Sequence, residues 1–388
     1  MVKQKKINPL PFPVYFLTTA AIALAGLADA VYLAISHYRV YVDMGYKSFC
    51  AVSKAINCDT VSQSQYSIFL NVPVPVWGIA GYLIVLILLL AIWKQDQSQS
   101  RFWPTLSFVA FCYSLYSIVL AFISTFYIRS YCIMCIASYA VNLLLLYFSW
   151  LTYKRFNNRP IFIGLKNDLD WLMGHKTFSM IFLTMLAVVF IVLVAFFPPY
   201  WEFKAAPLDE NVPTGTTADG HPWIGAENPQ ITIIEFTDYR CFQCKKMHFY
   251  LRQLITNYPG KIRLVHRNFP MDHEYNPLVK EPFHVGAGKM ALFSLYAAEK
   301  NNFWELSDML FNVDTSKGNF TLRGMAKTAG FDVKELAAAA SNRYLLRKLR
   351  IDIRDGLKLG ITGTPGYVVN DQVFVGNVPA EVFRVLEE

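Results

Sequence analysis

Residues 131–142 read Tyr-Cys-Ile-Met-Cys-Ile-Ala-Ser-Tyr-Ala-Val-Asn, and they open an apolar run that continues to Leu151. Cysteines three residues apart share a helical face. The run approaches the roughly 20 residues a helix needs to cross a bilayer. Cys132 and Cys135 are therefore expected at the mouth of a spanning helix. A polar, reactive pair is costly there unless it faces the bundle interior, which marks a functional site. The plainer alternative is two small residues filling gaps in a core.

Working outward, Arg129-Ser130 separates this run from another, Trp103–Ile128, so the two predict a tight antiparallel helical hairpin. Further spanning runs are Pro11–Ile35, Val74–Trp93 and Phe178–Phe197. The first is too long for a signal-peptide core and is expected to stay as a helix. Hydrophobic residues make up 54% of the 388, and charged residues only 16%, against about 25% in soluble chains. The apolar excess lies in residues 1–200, whereas 201–388 have a mixed composition. One half is membrane protein and the other a soluble domain.

The net charge of +8 does not point to nucleic acid, because many basic residues flank the apolar runs, as the positive-inside rule requires. Lys3, Lys5 and Lys6, then Lys94 and Arg101, then Lys154, Arg155, Arg159, Lys166 and Lys176 fall on one side if the five runs alternate. That side is expected to be cytoplasmic. The loop 36–73, the turn at Arg129 and everything after Phe197 then lie outside, where disulfides persist.

Residues 201–230 are Pro-, Gly- and Asn-rich without a hydrophobic period and read as linker and domain entry. Ile231–Phe236 is a strand-type run leading to Cys241-Phe-Gln-Cys244 and a helix to about Tyr258, and Lys261–His266 reads as a second strand. Residues 277–345 are helix-like; Tyr367–Asn370 and Gln372–Val375 predict a hairpin around Asn370-Asp371, and Pro379–Glu388 a closing helix. This is the order of a small α/β domain.

Six of the seven cysteines form close pairs, 50/58, 132/135 and 241/244, all mapped to the outer side. Cys241 is the expected nucleophile, its thiolate favoured by the helix N-terminus, and Cys244 the resolving thiol. Zinc at this pair would need two further ligands, and no His or Cys lies close in sequence. Cys50 and Cys58 suit either a static staple or a shuttle. Cys112 reads as an inert packing residue. Asp29, inside the first run, suits proton handling, a polar partner or mere solvation at the interface. No phosphate loop, nicotinamide fingerprint or metal-spaced histidine cluster is visible.

At these residues the stretch 10–155 resembles the vitamin K epoxide reductase family: a four-helix core, an outer loop with two cysteines, and a CxxC opening the fourth helix. Tyr139, four residues past Cys135, and Ser64, six past Cys58, match the same pattern. Residues 231–388 resemble a DsbA-type thioredoxin-fold domain in TDYRCFQCKKMH, HRNFP, KNNFWELSDMLF and ITGTPGYVVN, with Pro365 at the family's cis-proline loop. The Phe-Gln dipeptide between the cysteines departs from that family's Pro-His.

The fold implied is an all-α transmembrane four-helix bundle, then a cytoplasmic loop and fifth spanning helix over 156–200, a linker over 201–230, and a soluble α/β thioredoxin-like domain with a helical insertion. The resemblance implies an oxidase of the bacterial inner membrane. Electrons would pass from reduced periplasmic proteins through Cys241/Cys244, Cys50/Cys58 and Cys132/Cys135 to a membrane quinone, with no metal. Cys135 and Tyr139 would meet the quinone, with Ser64 and Trp77 as further contacts; Trp77 equally suits an interface anchor. Two other readings are a membrane-anchored reductase or isomerase and a chaperone-like binding module. The first needs a cysteine pair reachable from the cytoplasm, and the second needs the cysteines to be dispensable.

The charge asymmetry predicts that a reporter fused after Glu388 is active only outside the cytoplasm; activity confined to the cytoplasm would reverse the topology.

Overall fold

The computed structural model describes residues 10–53, 55–93, 101–156, 160–203, 212–313 and 322–376, with 378, 379, 382 and 384. Lys3, Lys5, Lys6, Lys94, Arg159 and most of the expected closing helix lie outside the described residues. The chain divides into two compact units, Met1–Trp201 and Glu202–Glu388.

The first unit is helical. Helix α1 spans Phe12–Val42, α3 Val74–Trp93, α4 Trp103–Ile123 and α5 Ile133–Phe156, and α7 covers Lys176–Phe196. These five are long and apolar enough to cross a membrane. Helix α1 runs seven residues past the expected end, because Ser36, His37, Val40 and Tyr41 are buried rather than solvated. A single π-type turn, Ser124–Ile128, ends α4, and Arg129 at φ 56° reverses the chain. Small residues let the helices close on one another: Ala23, Ala30 and Ala110 belong to one buried cluster with Val85, Leu89, Leu106, Leu145 and the fully buried Trp103. A Cβ on Gly26 would enter the Tyr82 ring, so α1 and α3 approach closely only with glycine there.

The loop after α1 carries a short helix, α2 (Cys58–Ser62), and a two-strand hairpin, β1 (Ile68–Phe69) with β2 (Val72–Pro73). Helix α6, Ile161–Gly174, occupies the stretch expected as loop. Its buried Asp168 accepts hydrogen bonds from the Phe102 N–H (3.1 Å) and the Thr105 hydroxyl (2.7 Å), and so caps the start of α4.

The second unit is built on a six-stranded sheet of order β3-β4-β6-β5-β7-β8: Thr214–Thr216, Pro222–Gly225, Ile262–Asn268, Ile231–Thr237, Gly366–Val369 and Gln372–Val375. Only β5 and β6 are parallel, joined through α8 (Phe242–Asn257). Asn370 and Asp371, both at positive φ, make the expected hairpin turn. Strands β3 and β4 come from the stretch expected as linker; they are three and four residues long, too short for a hydrophobic period to show. The helical insertion is α9 to α13: Ala287–Glu299, Phe303–Phe311, Leu322–Thr328, Val333–Ala339 and Arg343–Lys358. It starts ten residues later than the sequence suggested, because Asp272 caps turns over 272–288 by accepting from the Gly286 and Gly288 N–H groups.

Candidate functional site

The site of the membrane unit starts from one backbone junction. Tyr131 donates its N–H to the Ala55 carbonyl (2.8 Å) and accepts from the Asn57 N–H (2.9 Å), tying the loop after α1 to the mouth of α5. Asn57 also caps α2 through the Thr60 N–H, which fixes Cys58 as the first residue of that helix. The Asp59 carboxylate accepts from the Ser48 N–H and draws in the other arm of the loop. Cys50 and Cys58 form a disulfide with Cα atoms 5.7 Å apart. Both are buried in one cluster with Cys132, edged by Leu33, Val61, Met134 and Cys135. Cys132 is only 3% exposed, and its sulfur accepts from the Cys135 N–H at 3.1 Å. Cys132 and Cys135 are free thiols.

Cys135, one turn deeper, lines a cavity of about 230 Å³ within the bundle. Tyr139, Ser64 and Trp77 line the same cavity, so the structure brings together all four residues expected at an acceptor site. The Ser64 hydroxyl is turned to the Val61 carbonyl (2.7 Å), and the Trp77 indole donates to the Phe69 carbonyl (3.0 Å) beside the Phe190 ring. Cys112, by contrast, is on the outer surface of the bundle and not in its packing.

Sequence reasoning missed His37. It is 1% exposed, lines the cavity, and bonds the Tyr200 hydroxyl (2.7 Å) and the Ser67 hydroxyl (3.1 Å). It also missed a polar string on the cavity wall, in which Tyr82 donates to Asn142 (2.7 Å) and Asn142 to Ser117 (2.9 Å). Spacing held the clue: Ala30, Leu33 and His37 recur on one face of α1.

In the second unit Cys241 is the N-cap of α8, and its sulfur accepts from the Cys244 N–H at 3.5 Å. The Cys241 thiol donates to the Thr364 carbonyl (3.4 Å), at the cis Thr364–Pro365 bond. Pro365 therefore lies where the sequence expected it, against the pair. The hydrogen bond from Cys244 outweighs burial and the nearby Asp238, and lowers the Cys241 thiol to about 7; His284, bonded to Asp238 at 2.8 Å, also helps. Burial and the neighbouring Cys241 push the Cys244 thiol well up. One sulfur is thus poised to attack and the other held back. Below the pair lies Glu235, fully buried; burial would raise it, but His248 and His266 (3.0 Å) prevail and hold it at about 2.

Cys132/Cys135 and Cys241/Cys244 each sit at a helix mouth at the spacing that suits exchange between thiols and disulfides, in a chain with five helices long and apolar enough to cross a membrane. Residues 17–150 match the model of the vitamin K epoxide reductase family, and residues 217–387 match a thioredoxin model. Among solved structures, BdbD from Bacillus subtilis is 22% identical, covering 46% of this chain and 99% of its own, with a TM-score of 0.36. The thiol-disulfide exchange protein alpha-DsbA2 from Wolbachia pipientis is 25% identical, covering 43% and 86%, with a TM-score of 0.33. The Na(+)/H(+) antiporter NhaA of Herminiimonas arsenicoxydans is 24% identical over 210 residues, 54% of this chain and 31% of the antiporter. The chain thus spans about a third of that relative's length.

Alkylation of reduced protein should modify Cys241 with a midpoint near pH 7, the rate rising with pH to a plateau above it, while Cys244 stays unreactive. His284→Ala should move the midpoint upward; an unmoved midpoint would remove His284 from the account.

Proposed function

We propose that the chain generates disulfides in extracytoplasmic proteins and passes the electrons to a membrane quinone. The observation that carries this reading is the position of Cys132, which packs against the Cys50–Cys58 disulfide while Cys135 opens on the cavity. A thiolate of a reduced secreted protein attacks the Cys241–Cys244 disulfide and leaves oxidised. Cys241, the lower of the two thiols, then attacks Cys50 and frees Cys58. Cys58 attacks Cys132 and displaces Cys135. Each step breaks one disulfide and forms one, so the electron pair moves inward with no other reactant.

The cavity fits a quinone by its chemistry. Its wall is mostly apolar, with Ala30, Leu33, Leu120 and Ile123, and hydroxyls enter at Tyr139 and Tyr116. Such a lining accepts a flat apolar ring and fixes its orientation through few polar groups. Cys135 and Tyr139 would hold it, with Ser64 and Trp77 at its edge. A bound quinone supplies an acceptor for two electrons and two protons. Tyr139 offers a hydroxyl donor to a carbonyl, and the buried cluster at the cavity mouth keeps water from the thiols. In this reading the thioredoxin domain lies in the periplasm and the N-terminus in the cytoplasm; the Lys and Arg distribution and the need for a compartment where disulfides persist support it.

Cys135→Ala should abolish quinone reduction. Tyr139→Phe should raise the quinone KM by about two- to tenfold, the worth of one hydrogen bond, and leave thiol exchange intact. Quinone absorbance after anaerobic mixing with reduced enzyme reads both; reduction at the normal rate by Cys135→Ala would overturn the assignment.

A further inference from the structure

Asp29 has no task in the relay described so far. It lies inside the spanning helix α1 and is 9% exposed. The Ser138 hydroxyl donates to its Oδ2, while Oδ1 has no hydrogen-bond partner. Among the described residues it has no ion-pair partner. A carboxylate kept for structure alone would have both oxygens satisfied, because an orphaned buried acceptor costs about 1–3 kcal/mol or more. Ionisable side chains inside spans are associated with proton relays.

Its surroundings point to one user. Ser138 stands three residues beyond Cys135 on α5, so the two share a face, and both line the cavity. The titratable groups within electrostatic reach of Asp29 are Tyr82 on α3 and Cys132 and Cys135 at the mouth of α5. The Tyr82 hydroxyl is committed to Asn142 at 2.7 Å. The cysteine pair remains.

We propose that Asp29 stores the proton of the Cys132–Cys135 pair, acting through Ser138 as a positioning residue; this rests on the assignment of that pair as the one that exchanges with the loop. When the Cys58 thiolate attacks Cys132, the Cys58–Cys132 bond forms, the Cys132–Cys135 bond breaks and Cys135 leaves with the electron pair. The Asp29 carboxyl gives its proton to the Ser138 hydroxyl, which hands its own to the Cys135 sulfur. Asp29 is left as a carboxylate that keeps its hydrogen bond from Ser138, the contact seen in the present structure, where Cys132 and Cys135 are unbridged and Cys50–Cys58 is closed. Cys50 completes the exchange by attacking Cys58, and Cys132 leaves as thiolate. When the pair closes again, Asp29 takes the Cys135 proton back, and a bound quinone receiving the electron pair would draw its two protons from water. Cys135 thereby leaves as a neutral thiol, so that Cys132 and Cys135 never stand as two adjacent thiolates in an apolar site.

The test is infrared difference spectroscopy on the full chain in lipid nanodiscs. Cys50, Cys58, Cys241 and Cys244 are replaced by Ala, and the remaining pair is closed with diamide and opened with dithiothreitol, without quinone. The expected result is a protonated-carboxyl band that appears with the disulfide and vanishes with the dithiol. It should be absent in Asp29→Asn and shifted in Ser138→Ala. In the full-cysteine protein, Asp29→Asn should slow opening of the pair by the reduced loop about 100-fold, with Asp29→Glu restoring most of the rate. If Asp29→Asn fails to fold, isotope-labelled aspartate assigns the band in the wild-type side chain. A spectrum with no aspartate carboxyl change between disulfide and dithiol would overturn the proposal. So would Asn and Glu variants that slow opening equally. Because quinone is absent, a silent band sinks the proton store alone and leaves the Cys135→Ala result to judge the acceptor.

Discussion

The pair of backbone hydrogen bonds that Tyr131 exchanges with Ala55 and Asn57 is the constraint on which the membrane site depends. Without it, the segment from Asp43 to Gln65 is a surface loop with many conformations, and its cysteines meet Cys132 only by chance. Fixing a residue's backbone costs about 1–2 kcal/mol. The cost here is met locally by the Asn57 cap, the Asp59–Ser48 contact and the burial of three cysteines together. The same junction sets the depth of the site, because Tyr131 immediately precedes Cys132. A loop pinned at Tyr131 holds its disulfide against the first cysteine of the CxxC and leaves the second to face inward.

Polar groups in an apolar bundle follow from this arrangement. His37, Asn142, Ser117 and Tyr82 are each expensive in a membrane span unless bonded, and each is bonded around the one cavity that Cys135 enters. The thioredoxin unit solves a parallel problem with charge. His248 and Arg252 on the buried face of α8 form a linked group with Glu235, His266 and Asp308, in which Arg252 pairs with Asp308 at 2.8 Å. Removing one partner would leave a buried charge unpaired, which is more damaging than the worth of the pair itself.

How much of this was legible depended on how local the signal is. The spanning runs, the three cysteine pairs and the strand–CxxC–helix unit all carry their pattern within about twenty residues. Cys135, Tyr139, Ser64 and Trp77 were singled out with the help of a resemblance, and the fold sets them around one cavity. Helix α6 was not legible, since Lys166, Asp168 and Asp170 interrupt its apolar face; Asp168 gains its meaning only from Phe102 and Thr105, more than sixty residues away. Strands β3 and β4 are too short to show a period and form by pairing with each other and with β6. His37 fell in the stretch read as the outer loop 36–73, just past the end of the first apolar run. Its partners Ser67 and Tyr200 are distant in sequence.

The central claim is that the cysteine pairs form one path from the soluble domain into the bundle, and a trapped intermediate tests it most directly. A mixed disulfide persists once its resolving thiol is gone. In the double variant Cys244→Ala, Cys58→Ala, Cys241 and Cys50 are each left without their partner. Cleavage at a protease site engineered between residues 204 and 211, followed by non-reducing electrophoresis, shows whether the halves stay joined. The account predicts a single band that reductant splits in two, with Cys241 linked to Cys50. Two separate fragments carrying both cysteines as free thiols under oxidising conditions would contradict it.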